Sequence, residues 1–319
     1  MGEVLMEKKW ITRPTSIMLV ALIVAVLWGS AYPALKIGFE LFAIETEDSA
    51  AKILFAGIRF SLAGIMVIAF ASFQEKKLIK PTRAELPRIT VLGLILTFAQ
   101  YIFYYIGLAH CEAAKAAILF SSGTFAAVLT TPLIVKGEKL TIRKTIGCII
   151  GFIGVIVVNG LSFASGSMTL MGEGFLIIAA LCFGLGSTWS KSVTAGSDPI
   201  VVTGYQMTIG GALLLIVGPI VGGTLPVVTP IGLLLLLYMS FLSAAAFSLW
   251  TLLLKFNDAG KVVVYNFLVP VFGTGLSGIF LHESILTVRN LTALVLVCTG
   301  IIIVNMAVPQ KINDQQLKD

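Results

Sequence analysis

Arg59 stands inside an apolar run, residues 52–73, where a guanidinium has few ways of being tolerated. Facing a cavity, it would anchor an anion or a carboxylate; facing its neighbours, it would be a structural ion pair or a side chain reaching for the membrane surface. A second set of titratable residues gathers at the ends of apolar runs. Glu112 and Lys115, three apart at the start of the run 113–134, share a helix face, with His110 just before them and Glu173 near the start of the run 170–190. They could form a gate or a proton relay, or be no more than a solvated helix end. His282 and Glu283 occupy the equivalent place after the run 262–281.

Aromatic and amide side chains recur along the other runs. Gln100, Tyr101, Tyr104 and Tyr105 fall together, and the 101/104/105 spacing keeps the tyrosines on one helix stripe. Trp28 and Tyr32 are separated by one turn in the first run, while Trp189, Tyr205 with Gln206, Trp250, and Tyr265 with Asn266 appear in later ones. Such residues either wall a path for flat or amphiphilic solutes or serve as packing and interfacial anchors. Only Glu173 brings a carboxylate toward the middle of a run, which argues against a strongly cation-selective site. Pro33, just after Gly29 and Ser30, and Pro270 are candidate helix breaks, either bending points or static kinks.

Several chemistries have no residues to run on. There is no HExxH, no GxSxG, no pair of mid-run carboxylates and no Gly-rich phosphate loop, so neither an intramembrane enzyme nor an ATP-driven motor is expected. Cys111, Cys148, Cys182 and Cys298 are scattered singly, without metal-ligand or disulfide spacing. The sequence therefore points to no metal and no cofactor. The expected partners are a small-molecule substrate and membrane lipid, and not nucleic acid; monomer and weak homodimer both fit.

The elements that must carry these residues follow from composition. Of 319 residues 57% are hydrophobic and 12% charged, with a mean hydropathy of +0.99, far from the roughly 25% charged of soluble domains. Apolar runs of about 20 residues match a bilayer crossed by helices rather than by alternating strands. Ten spans are expected: 16–38, 52–73, 89–108, 113–134, 142–161, 170–190, 199–222, 229–254, 262–281 and 287–308. No short apolar region ending in a cleavage site precedes them, so the first span is expected to remain in the protein. The basic residues crowd the even-numbered connections, at Lys76, Lys77, Lys80, Arg83 and Arg88, then Lys136, Lys139, Arg143 and Lys144. The first connection carries Glu40, Glu45, Glu47 and Asp48 instead. The excess of Lys and Arg places both termini in the cytoplasm.

The chain also repeats itself. Residues 140–159 align without a gap on 286–305, with identities at Leu140/Leu286, Thr141/Thr287, Arg143/Arg289, Gly154/Gly300, Ile156/Ile302 and Asn159/Asn305. Lys115 pairs with Lys261, Tyr104 with Trp250, 57–64 with 204–211, and Lys36 with Lys191. Five spans in each half reverse the second copy, an inverted repeat of the kind that alternates access around a midplane site. The expected organisation is a cytoplasmic segment 1–15, a first repeat 16–161, an inverted second repeat 170–308 and a cytoplasmic tail 309–319. Connections this short leave no soluble domain for a sensor or scaffold.

These residues resemble the drug/metabolite transporter superfamily, in its ten-helix EamA type. The resemblance rests on WGSAYPALK (28–36), Arg59, Gly137-Glu138 with Leu140-Thr141, and LVPVFGTGLSGIFLHE (268–283) with its Pro270 and Glu283. It implies an exporter or exchanger of small metabolites such as amino acids, amines or drugs, in the plasma membrane. It further implies a cavity lined by the first four helices of each half, with the fifth and tenth peripheral. Two departures, Thr124 opposite Pro270 and Gln206 opposite Arg59, make an asymmetric cavity the expectation. Uniport, proton antiport and exchange all fit. Topology reporters fused at either end should read cytoplasmic; a terminus reached only from outside would overturn the orientation.

Overall fold

The computed structural model describes residues 10–134, 140–159, 168–194, 196–257, 262 and 264–305. Gly137-Glu138, Lys261 and the tail 309–319 lie outside them. Within the described residues the chain is all-helical: α1 (Pro14–Leu41), α2 (Ser49–Gln74), α3 (Leu86–Ala109), α4 (Ala113–Ile134), α5 (Ile142–Asn159), α6 (Leu170–Thr194), α7 (Pro199–Ile220), α8 (Pro230–Phe256), α9 (Leu268–Leu281) and α10 (Val288–Asn305). Seven are long and apolar enough to cross a membrane, and α9 and α10 are shorter apolar helices.

Local chemistry explains where several of them start. Asp48 caps α2 by accepting from Ala51 N at 2.8 Å, Asp198 caps α7 through Ile200 N at 2.8 Å, and Thr229 caps α8 through Gly232 N at 3.0 Å. Each satisfies an N–H that the first helical turn leaves open. The acidic connection between α1 and α2 is held by a buried cation: Lys52 Nζ donates to the carbonyls of Glu45 (2.6 Å), Thr46 (2.7 Å) and Asp48 (3.0 Å). Three acceptors use all three of its N–H groups, with the Asp48 and Glu47 charges close by.

The two candidate breaks behave differently. α1 runs helically through Pro33, while Pro270 sits in the first turn of α9, directly after a 3-10 turn at Val264–Phe267. A proline in a first turn removes an N–H that had no intrahelical partner. Other irregularities fall elsewhere: α3 passes through a π-helical stretch at Leu94–Ala99, and α4 changes pitch at Ser121.

Glycines reveal how the halves are joined. A Cβ added at Gly57 would lie 2.4 Å from Leu215 N, and one at Gly204 2.7 Å from Ile68 Cγ1. One at Gly64 would lie 2.5 Å from Thr208 N, and one at Gly211 2.4 Å from Ser61 N. With 57–64 matched to 204–211, each contact is the other's twin with the partners exchanged. Helices α2 and α7 are counterparts that cross antiparallel about a twofold axis, the self-complementary geometry of an isologous interface. The pair α5 and α10 repeats it: Gly154 meets Val297, and Gly300 meets Gly151. Accordingly α1 packs on α8 and α9 as α6 packs on α3 and α4. The fold is two inverted five-helix repeats, with α5 and α10 together at one flank.

Gly64→Leu should force α2 from α7 and, at about 1–3 kcal/mol or more for overpacking, lower the melting temperature and the yield of folded protein. Gly275→Ala, with nothing within 4 Å of the new methyl, should leave both unchanged or slightly raised. Equal melting temperatures for the two variants would contradict the close approach.

A polar cavity on the twofold axis

Arg59 is 3% exposed and sits midway along α2. Its Nε–H points between Met239 O and Ser243 Oγ, each at 3.2 Å; Nη2 donates to Ser243 Oγ at 2.9 Å and Nη1 to Tyr105 Oη at 3.1 Å. The guanidinium carbon lies 4.9 Å from the centre of the Phe60 ring, which is itself stacked on Tyr101 at 3.8 Å. Every partner is neutral. Among the described residues the ion pairs are Lys77–Glu75, His110–Glu47 and Lys115–Glu173, and none reaches Arg59. A buried cation stabilised only by dipoles is costly and is found facing a cavity or a pathway.

Such a cavity adjoins it, with a volume of about 100 Å³. Its lining includes Trp28, Tyr32, Arg59, Gln100, Tyr101, Tyr104, Asn266 and Pro270 of the residues singled out by sequence. Ala117, Phe120, Ser121 and Thr124 of α4, Phe183 of α6, and Ser243 and Phe247 of α8 complete it with Ala31 and Val269. The repeat alignment makes Trp28/Phe183, Tyr101/Phe247, Phe120/Asn266 and Thr124/Pro270 counterpart pairs. The cavity therefore straddles the twofold axis. Its chemistry does not: the cation, the tyrosines and Gln100 come from the first half, and the second half brings Phe183, Phe247, Val269 and Pro270 with only Ser243 and Asn266 as polar groups.

The divergence is clearest at the position matching Arg59. Gln206, buried in α7, accepts from Thr97 Oγ1 at 2.6 Å, and Thr97 is the counterpart of Ser243. Arg59 of the first half bonds Ser243 of the second, and Gln206 of the second half bonds Thr97 of the first, so the two hydrogen bonds are related by the twofold axis while only one carries a charge.

The remaining sequence candidates lie off this lining. Tyr105 stands behind the cavity as a partner of Arg59. Trp250 supports the Trp28 ring at 5.4 Å, and Tyr265 packs with Trp250 on the cluster of Ile17, Val20 and Leu253. Trp189 and Tyr205 pack against Ile89, Leu92 and Val202, where Tyr205 Oη donates to Ile79 O at 3.0 Å. Pro33 is buried in α1. Thr124, marked in the sequence only as the counterpart of Pro270, also lines the cavity. Conversely, Ser121 and Ser243 were not foreseen: the hydroxyl-rich stretch Ser121-Ser122-Gly123-Thr124 within an apolar helix was the available signal for the first, and nothing local marked Ser243.

The titratable cluster closes the end of the bundle that carries the α1–α2 and α3–α4 connections. Glu112 holds the N-cap position of α4 but makes no capping bond; Glu283 does so instead, accepting from Ala113 N at 2.7 Å and Ala114 N at 2.8 Å. This carboxylate ties the end of α9 to the start of α4, the charge a helix N-terminus favours. Lys115 pairs directly with Glu173, joining α4 to α6, and Glu173 also accepts from Thr169 N at 3.1 Å. His110 places Nδ1 2.9 Å from Ile106 O and Nε2 3.5 Å from Glu47. Below them a Cβ on Gly273 would lie 2.8 Å from Ala117 Cβ. Cys111, in the same connection, has its thiol pushed up to about 12, by burial first and then by the nearby Glu173 carboxylate, which leaves it unreactive.

Comparison with known proteins agrees with this architecture. The profile of the EamA-like transporter family matches residues 15–160 and again 170–306. An uncharacterized transporter, YvbV, of Bacillus subtilis (strain 168) is 30% identical over 305 residues, 93% of this chain and 93% of that protein. A probable amino-acid metabolite efflux pump of Escherichia coli (strain K12) is 24% identical over 298 residues, 89% of this chain and 92% of the other. A solved structure superposes with a TM-score of 0.66 at 19% identity, covering 91% of this chain and 96% of its own, a likeness of fold. Matched in both halves, the chain belongs to the EamA-like transporter family and is a multi-pass membrane transporter, not an enzyme.

Proposed function

We propose that the protein exports or exchanges small metabolites bearing a carboxylate, by alternating access around the cavity on the twofold axis, with Arg59 as the anchor. The observation that carries the reading is Arg59 itself, a buried guanidinium with neutral partners beside a cavity. A carboxylate entering there supplies the missing counter-charge, and its desolvation is offset by a charge-assisted pair. The probable amino-acid metabolite efflux pump among the relatives is consistent with such a solute.

The arrangement of the ends supports one stage of the cycle. The end sealed by Glu283 and Lys115–Glu173 leaves Tyr32, Tyr104 and Ala117 buried, whereas Phe183, Phe247, Thr124 and Asn266 on the other side are half-buried. With cytoplasmic termini in the plasma membrane, the orientation that the basic connections favour, this corresponds to an inward-facing state. Moving outward then requires Glu283 to release α4 and Lys115 to part from Glu173. Reconstitution in liposomes with a metabolite panel, with and without a pH gradient, identifies substrate and coupling together.

Arg59→Gln should fold, since the other half carries Gln206 in the matching place, yet lose uptake; Arg59→Lys should recover only part of it, because an ammonium lacks the planar fork. A stable Arg59→Gln protein with full uptake would remove Arg59 from the site. Loss of the Glu283 carboxylate removes a cap interaction typically of about 1 kcal/mol. Glu283→Ala should therefore shift the population toward the outward-open state. In intact cells, a cysteine placed at Ala117 should then react faster with an impermeant maleimide; unchanged labelling would exclude Glu283 as a latch.

A further inference from the structure

The geometry points to Ser243 as the residue that positions Arg59, leaving one donor on each terminal nitrogen for a monoanionic carboxylate. This rests on the reading of Arg59 as the substrate anchor. A guanidinium has five N–H groups. The Nε–H is shared between Met239 O and Ser243 Oγ, one Nη2–H goes to Ser243 Oγ, and one Nη1–H goes to Tyr105. Three are committed to the protein, so one remains on each terminal nitrogen.

Each can donate to an oxygen of a planar carboxylate. Their direction depends on what holds the edge formed by Nε and Nη2. Ser243 Oγ accepts from two of the three nitrogens while donating to Met239 O at 3.1 Å, so its hydroxyl orientation is fully used. Phe60 beneath the guanidinium limits tilt. Ser243 comes from the second repeat and Arg59 from the first, so the alignment depends on how the halves dock.

Charge sets the class. Among the described residues Arg59 is the cavity's one charged side chain; the rest of the lining is hydroxyl, amide, aromatic or aliphatic. A single negative charge is neutralised on entry. A second one, on a dicarboxylate or a phosphate monoester, would be desolvated without a partner. Monocarboxylates and zwitterions satisfy the site and dianions do not.

The test measures ligand-induced thermal stabilisation of the purified full chain, using L-leucine, 4-methylpentanoate, succinate, glycerol phosphate and isoamylamine as probes. Stabilisation by one or both monocarboxylate-bearing probes, and by none of the other three, is expected. Stabilisation led by succinate, glycerol phosphate or the amine, or by none of the five, would overturn the assignment. On the stabilising probe, Ser243→Ala should weaken binding about tenfold, as for loss of one hydrogen bond to a charged group. Its ligand-free melting temperature should fall, since two N–H groups of a buried guanidinium lose an acceptor, and Ser243→Thr, which restores a hydroxyl, should recover both stability and affinity. Ser243→Ala binding with parental affinity would show a packing role alone. Arg59→Gln separates the two layers: unchanged binding there removes the anchor itself, whereas lost binding with a neutral Ser243→Ala removes only the positioning role.

Discussion

In a hydrocarbon solvent every polar group must find its partner inside the protein, and this bundle is arranged around one cation that does so only in part. Lys52 shows the alternative. Its ammonium has three carbonyl acceptors and no N–H to spare, and it holds a connecting segment. Arg59 has only neutral partners and lines a cavity. The same physical rule, that buried charge must be compensated, makes the first residue structural and leaves the second available to a solute.

Holding a guanidinium in that state needs a rigid surround. The partners come from α3 and α8, and the distance between those helices is set elsewhere, by the glycines that let α2 and α7 approach to backbone contact. Small residues at a membrane helix interface replace the hydrophobic drive, which is absent between helices in lipid. Removing side chains at Gly57, Gly64, Gly204 and Gly211 thus places hydroxyls near Arg59. The twofold symmetry of that contact also gives the second half an equivalent set of positions, at which Gln206 and Thr97 retain a hydrogen bond without charge.

The two ends of the cavity differ in what joins them. One end is secured by polar links, Glu283 on the first N–H groups of α4 and Lys115 on Glu173, reinforced by close packing of Gly273 on Ala117. Links of this kind are directional and exchangeable with water. A seal made of them can open without disrupting the apolar contacts of α2 with α7 or α5 with α10.

By itself the sequence determined the helical class, the ten elements and the inverted repeat, because apolar length and a duplicated pattern are local properties of the chain. It also singled out Arg59, since a charge inside an apolar run is conspicuous wherever it points. The stripe Tyr101/Tyr104/Tyr105 was legible as a stripe, yet only packing decided that Tyr101 and Tyr104 face the cavity while Tyr105 turns to Arg59 behind it. Trp189 and Tyr205 looked equivalent to Trp28 in sequence and pack elsewhere, because the facing of a helix depends on its neighbours rather than on its own residues. Ser243 was invisible, being a common residue in an apolar helix whose meaning comes from a guanidinium far away in the chain. Glu283 was visible as a charge but not as the cap of α4, since capping from a distant segment depends on where α9 ends relative to α4. The tertiary structure alone decided these, because each is a relation between helices that lie next to each other only once the two halves have docked.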